Sequence, residues 1–122
     1  MSGIVRKLLL LLIIVIFFTI FHFWAAFEKA KSRDIQRLTV AQSVAVALSS
    51  YNHDRFSYPF TSPDGLELDG VKESLRYIPL ASDGVTQCVS KSGCPDYAIE
   101  LHLETNSVAK KGVHLFTQNG LQ

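Results

Sequence analysis

The sequence predicts an α+β fold, in which a long N-terminal helix packs on a small antiparallel sheet of three or four strands. Three observations predict it. Residues 8–27 form an uncharged apolar run, and an amphipathic helical pattern follows without Gly or Pro as far as Tyr51. Residues 97–103 then alternate apolar and polar side chains, with the period of two that is typical of a half-buried strand. We therefore expect a transmembrane helix, a stalk helix continuous with it, and a small head.

The apolar run predicts a membrane anchor at residues 8–27, preceded by a short basic segment at residues 1–7. A bilayer core of about 30 Å needs roughly 20 apolar residues at 1.5 Å each, so the run from Leu8 to Phe27 is long enough to span it. A cleaved signal peptide is the alternative, but its apolar region is usually shorter, about 7 to 15 residues. Trp24 and Phe27 fit either interfacial aromatics or further apolar anchor. His22 fits a polar group close to that interface.

The orientation of the anchor has two opposing indications. Basic residues are more numerous on its carboxyl side than on its amino side, namely Lys29, Lys31, Arg33 and Arg37 against Arg6 and Lys7. That count favours a cytoplasmic head. The two cysteines, Cys88 and Cys94, instead favour an oxidising compartment. We give the cysteines more weight and expect the head outside the cytoplasm.

The stalk helix is predicted over residues 28–52. Apolar side chains recur at steps of three or four residues and are expected to pack against the head; with the aromatic residue that follows the helix, they are Ile35, Leu38, Ala41, Ala45, Leu48, Tyr51 and Tyr58. Arg33 and Arg37 are assigned to the other faces. A coiled-coil partner is the alternative, but the repeat is shorter than the three or four heptads that would support one. Turn-forming residues before Pro59 predict that the helix ends near Asn52, with Tyr51 and Tyr58 covering its end.

The head is predicted over residues 53–122. A turn is expected at residues 62–65, and a short helical turn at residues 71–77 that Ile78 and Pro79 end. The clearest strand is residues 97–103, with a second at about residues 113–117 and a third at about residues 85–89.

Cys88 and Cys94 fall in the turn between two predicted strands. A structural disulfide there closes a small loop. A redox pair is one alternative, although such pairs usually have only two residues between the cysteines. Zinc is the other, and it would need two more ligands, from His102 or His114, at no recognised spacing. We favour the structural disulfide.

Composition and motifs favour a protein that is not an enzyme and has no cofactor. Residues 38–122 hold six Lys or Arg against nine Asp or Glu, a net charge of −3, so we expect no nucleic acid partner. Glu100, His102 and Glu104 share one face of a predicted strand and could form a metal site or an acid and base pair. We interpret them as the solvated face of that strand. No phosphate-binding loop or nucleophile motif identifies a small-molecule substrate.

Four segments of the chain resemble the type IV pilin superfamily, particularly the pseudopilins of type II secretion. Residues 30–38, AKSRDIQRL, are similar to the basic entry to the amphipathic helix of that family. Residues 47–59, ALSSYNHDRFSYP, resemble its helix end with Tyr, Asp and a Tyr-Pro pair. Residues 75–79, LRYIP, and residues 97–104 resemble the segment before the sheet and a central strand.

The resemblance implies a single-pass protein of the bacterial inner membrane with an extracytoplasmic head. It also implies that the N-terminal helix joins other pilin-like subunits or secretion machinery, and that no residue is catalytic. The chain departs from the family at the prepilin peptidase site, because Gly3 is followed by Ile4 and by the basic Arg6 and Lys7, with no acidic residue before Glu28. The family's calcium ligands have no counterpart in the C-terminal TQNGLQ. We therefore expect membrane anchoring and leave processing and polymerisation open.

Overall fold

A computed structural model describes residues 2–61 and 75–122 of the chain. Its elements, in order, are α1 (Gly3–Arg55), β1 (Arg76–Leu80), β2 (Asp96–Leu103), β3 (Gly112–Thr117) and β4 (Gly120–Leu121). The predicted turn at residues 62–65 and the first four residues of the predicted helical turn, 71–74, lie outside the described residues. The expected α+β layout is confirmed.

Helix α1 is continuous for 53 residues, from Gly3 to Arg55. It ends where Phe56 adopts the left-handed conformation, with φ of 57°, and donates its N–H to the carbonyl of Asn52 at 2.7 Å. The predicted end near Asn52 is therefore three residues too early. Pro59 restricts only the residue directly before it, which leaves the last turn free to remain helical. Arg55 stacks over the Tyr51 ring at 4.7 Å and adds a basic charge where the helix dipole favours one.

The sheet is an antiparallel meander in the order β1-β2-β3-β4. Its register aligns Tyr77, Ile99, Phe116 and Leu121 in one row across the four strands. These side chains belong to the hydrophobic core or pack against it. The row therefore marks the face of the sheet that covers α1.

Two predicted strands are confirmed and one is wrong. The strands at residues 97–103 and 113–117 correspond to β2 and β3. The third was expected at residues 85–89, but Val85 and Val89 are exposed and this stretch contributes an isolated bridge between Gln87 and Leu80. Residues 76–80 form the neighbouring strand instead, so the helical turn predicted to reach residue 77 is also wrong there.

Pro79 explains the misplaced strand. A proline argues against a central strand because it cannot donate a ladder hydrogen bond, but an edge strand tolerates it. β1 pairs with β2 on one side, opposite Tyr97, and the Pro79 carbonyl accepts a hydrogen bond from the Cys88 N–H at 2.9 Å on the other. The carbonyl that Pro79 retains is therefore satisfied.

The core lies between one face of α1 and the sheet. Five residues of α1 are buried and succeed one another at steps of three or four: Asp34, Arg37, Ala41, Val44 and Leu48. The last three pack on Tyr97, Ile99, Leu101, Leu103 and other residues of the sheet. This spacing keeps a single stripe of the helix against the head.

The residues predicted to join stalk and head differ in burial. Ala41, Leu48 and Tyr58 lie in the buried core, and Leu38 and Ala45 are half-buried against it. Tyr51 is half-buried near the helix end. Ile35 is 48% exposed, so the packing expected of it is wrong. Asp34 and Arg37 occupy the buried stripe at that level of the helix.

Candidate functional site: the anchor and its junction with the head

The apolar anchor is exposed along its whole length. Leu8, Trp24 and Phe27 have 63%, 59% and 50% of their surfaces exposed, and the large apolar side chains between them are exposed as well. By length and composition, α1 is apolar enough to cross a membrane. Contiguous apolar surface of this extent is rare on soluble proteins. The anchor is therefore compatible with a single-pass membrane segment.

Two polar residues lie within the anchor. The Thr19 hydroxyl donates to the Val15 carbonyl at 2.8 Å, so its hydrogen bond is made within the helix and needs no water. His22 is exposed beside Phe23, with ring centroids 6.4 Å apart, and Trp24 lies a further residue along the chain. This placement leaves both predicted interpretations of Trp24 and Phe27 open.

The Asp34 carboxylate fastens the base of the stalk to the end of β2. It is fully buried and accepts the backbone N–H groups of Glu104 and Thr105, each at 2.8 Å. It also accepts the Thr105 hydroxyl at 2.8 Å and the Arg37 Nη1 at 3.1 Å. Four donors around one carboxylate compensate for the water that it loses on burial.

Three further charges complete the junction around Asp34. Glu104 accepts the Arg33 Nε at 2.7 Å and the Arg37 Nη1 at 3.1 Å. Arg37 is 1% exposed, and its Nε has no hydrogen-bond partner among the described residues. We call Arg33, Asp34, Arg37 and Glu104 the ionic junction. Its two positive and two negative charges balance, so a buried arginine is tolerated.

Sequence reasoning missed the ionic junction. It assigned Arg33 and Arg37 to the solvated faces of the stalk, and the structure shows this to be wrong for the buried Arg37. The available signal was the spacing of Asp34 and Arg37, which continues the stripe of Ala41 towards the membrane. A search for apolar periodicity does not select charged residues. The burial of Arg37 becomes favourable only through its tertiary contact with Glu104.

Glu104 gives the junction a predictable response to acid. The hydrogen bond from Arg33 is the largest cause of a pKa below the ordinary value of 4.5, and Arg37 lowers it further. A lowered folded-state pKa means that the stabilisation is present above about pH 4.5 and is lost as pH falls through the folded-state pKa. We expect the urea midpoint of the head to fall across this acidic window, and less steeply in Glu104→Gln. An equal fall in both proteins would contradict the assignment, and Glu100→Gln is the control.

The predicted disulfide between Cys88 and Cys94 is confirmed, with Cα atoms 6.0 Å apart. Cys94 exchanges backbone hydrogen bonds with Tyr58 at 2.7 and 2.9 Å. Tyr58 in turn packs edge to face on Tyr97, with centroids 4.7 Å apart. The disulfide loop is thus joined to the chain just beyond α1, at the end of the head opposite the ionic junction. Burial also raises the pKa of Tyr97 to about 12.

Removing the disulfide should weaken the head moderately. Closing a loop with a sequence separation of 6 stabilises the folded state by about 2 to 2.5 kcal/mol in the chain-entropy model. We expect the double replacement of Cys88 and Cys94 by serine to lower the free energy of unfolding by about that amount, measured by urea denaturation in detergent. The reduced wild-type chain is the control and should behave alike. An unchanged midpoint in both would contradict a structural role.

Glu100, His102 and Glu104, the alternative metal site, are not arranged to hold a metal ion. Glu104 is engaged by the ionic junction, and His102 is half-buried with an interaction of its own. Across residues 2–61 and 75–122, no group of three or more His, Cys, Asp or Glu side chains is arranged to hold a metal ion.

A cleft of about 520 Å³ opens between α1 and the last two strands. It is lined by Gln42, Val46, Tyr58, Gln118 and neighbouring residues, and the described residues that line it carry no charge. Uncharged walls offer a ligand shape and hydrogen bonds.

Comparisons with protein-family models, curated proteins and solved structures found no match to this chain. Its geometry therefore defines its class. It is an α+β protein whose N-terminal helix is long and apolar enough to cross a membrane, with a four-stranded antiparallel sheet formed by the described residues of the head.

Proposed function

We propose that this chain is a non-enzymatic, membrane-anchored, pilin-like or pseudopilin-like protein, an accessory subunit of a type II secretion or type IV pilus assembly. The observation that carries the proposal is the division of α1 into two halves. The exposed apolar half offers its surface to lipid or to neighbouring helices, whereas the half from Asp34 to Leu48 is committed to its own head. The sequence resemblance supports the same assignment.

The proposed location is the bacterial inner membrane, with the head outside the cytoplasm. The disulfide supports this orientation, because such bonds persist in oxidising compartments. The test is protease treatment of spheroplasts that contain the full chain. Proteolysis should remove the head and leave a protected anchor fragment. A head that is digested only after the membrane is lysed would overturn this orientation.

The proposed partners are other pilin-like subunits, which the exposed anchor would contact. Cysteine introduced at Phe17, which is 68% exposed in the middle of the anchor, provides the test. Oxidation in membranes should yield cross-linked species with that variant. The matched control is cysteine at Val46, equally exposed on the stalk but outside the bilayer. Cross-links with neither variant would count against a subunit role, and mass spectrometry of the mature N-terminus would show whether the chain is processed.

A second candidate is a membrane-tethered binding module that does not polymerise. The uncharged cleft between α1 and the last two strands favours it, because a small ligand could be held there without chemistry. Chemical shift changes confined to Gln42, Val46 and Gln118 on ligand addition, with no anchor cross-links, would distinguish this function from the first.

A further inference from the structure

The loop between β2 and β3 lies at the end of the head that faces the anchor. β2 runs from Tyr97, beside Tyr58, towards Glu104 and Thr105, which bind Asp34 at the base of the stalk. β3 begins at Gly112, directly opposite Leu103. Both ends of the loop at residues 104–111 therefore lie at the level of Asp34 on α1.

This level is close to the membrane. Asp34 follows Phe27, the last residue of the apolar run, by seven residues, or about 10 Å along the helix. The headgroup layer extends roughly 5 to 8 Å beyond the hydrocarbon core on each side. The loop thus faces the headgroups across a gap that a long side chain closes.

The loop carries two exposed cations. Lys110 and Lys111 are exposed, whereas Ala109 beside them packs against the core. The backbone here is fixed, because the Lys111 N–H donates to the Asn106 Oδ1 at 2.7 Å and the Lys110 carbonyl meets the His114 Nε2. The two ammonium groups therefore project from an ordered loop.

The charge balance at this end of the head is positive. The carboxylates of Asp34 and Glu104 are neutralised by Arg33 and Arg37 within the ionic junction. Lys29 and Lys31 flank the anchor together with Glu28, and they add to the two lysines of the loop. Among the described residues near the membrane, cations thus exceed anions outside the junction.

We propose that Lys110 and Lys111 bind the phosphate groups of anionic phospholipids in the membrane that α1 crosses. This contact joins the head to the bilayer at a second point, in addition to α1. Each basic residue near an anionic surface changes the ratio of lipid-bound to free loops about fivefold, so the pair contributes about 25-fold. This inference rests on the proposed membrane anchoring of α1.

The full chain in lipid nanodiscs provides the test. A trace of lipid with gadolinium on its headgroup is included, and NMR measures the paramagnetic relaxation of the amides of residues 106–111. Because α1 and the ionic junction keep the loop near the headgroups in any bilayer, we expect measurable relaxation in phosphatidylcholine alone and stronger relaxation when the bilayer contains phosphatidylglycerol. Lys110→Gln with Lys111→Gln should reduce relaxation in the anionic bilayer to the neutral level, and high salt should do the same to the wild type.

The control removes two charges from the far end of the head, by Arg55→Gln with Lys91→Gln. Lys91 lies in the disulfide loop near Tyr51, at the opposite end of the stalk from the ionic junction. This variant should keep the wild-type relaxation. Equal relaxation in neutral and anionic bilayers, or no effect of the Lys110 and Lys111 replacements, would overturn the lipid contact. Failure of the chain to enter the nanodisc would instead overturn the proposed membrane anchoring of α1.

Discussion

Replacing Asp34 with alanine should lower the free energy of unfolding of the head by about 3 to 5 kcal/mol. The change leaves the N–H groups of Glu104 and Thr105 without their acceptor and the buried Arg37 with one carboxylate instead of two. Urea denaturation of the full chain in detergent, followed by its near-ultraviolet tyrosine signal, measures the effect. Asp34→Asn should cost less, because the amide oxygen retains one acceptor.

The matched control for this prediction is Asp54→Ala. It makes the same chemical change on the same helix, but Asp54 is exposed in the last turn. Its effect should stay within about 0.5 kcal/mol, as for most surface substitutions. If the two replacements had equal effects, the ionic junction would not fasten the stalk to the head.

Replacing Ile99 with alanine should lower the free energy of unfolding by about 2 to 5 kcal/mol. Ile99 is fully buried at the middle of the cross-strand row, between Tyr77 and Phe116. Removing its side chain leaves a cavity between the sheet and α1 that the surrounding strands cannot fill without losing their register. The urea midpoint of the full chain measures the loss.

Val113→Ala is the control for the core. Val113 is a branched residue on the neighbouring strand but is 64% exposed. Its replacement should cost less than about 1 kcal/mol, which is the range of strand propensity. A loss as large as that of Ile99→Ala would show that the core does not centre on this row.

Local patterns predicted the elements whose burial follows simple periodicity. The alternation of Tyr97, Ile99, Leu101 and Leu103 located β2, and the continuous helical pattern located most of α1. β1 was missed because local rules take Pro79 as the end of a helical turn. Its place in the sheet depends on pairing with a strand whose partner residues come 16 to 24 residues later.

The junction between stalk and head was beyond the sequence patterns for a different reason. A hydrophobic stripe selects Ile35, since it is the apolar residue at that turn, yet the sheet ends there and exposes the backbone N–H groups of residues 104 and 105. Polar groups at the end of a strand need an acceptor more than they need an apolar neighbour. Asp34 meets that need, and no periodicity of single residues reveals it.

Because α1 is uninterrupted, the position of the disulfide loop at its far end follows the tilt of the N-terminal half of the helix. The helix continues from Phe27 to Arg55 without a proline or glycine, which are common causes of a sharp bend. This length is roughly 42 Å, so a typical tilt of about 20° in the bilayer would move the far end of the helix sideways by roughly 14 Å. Any change in the tilt of α1 is therefore amplified into a sideways displacement of the disulfide loop.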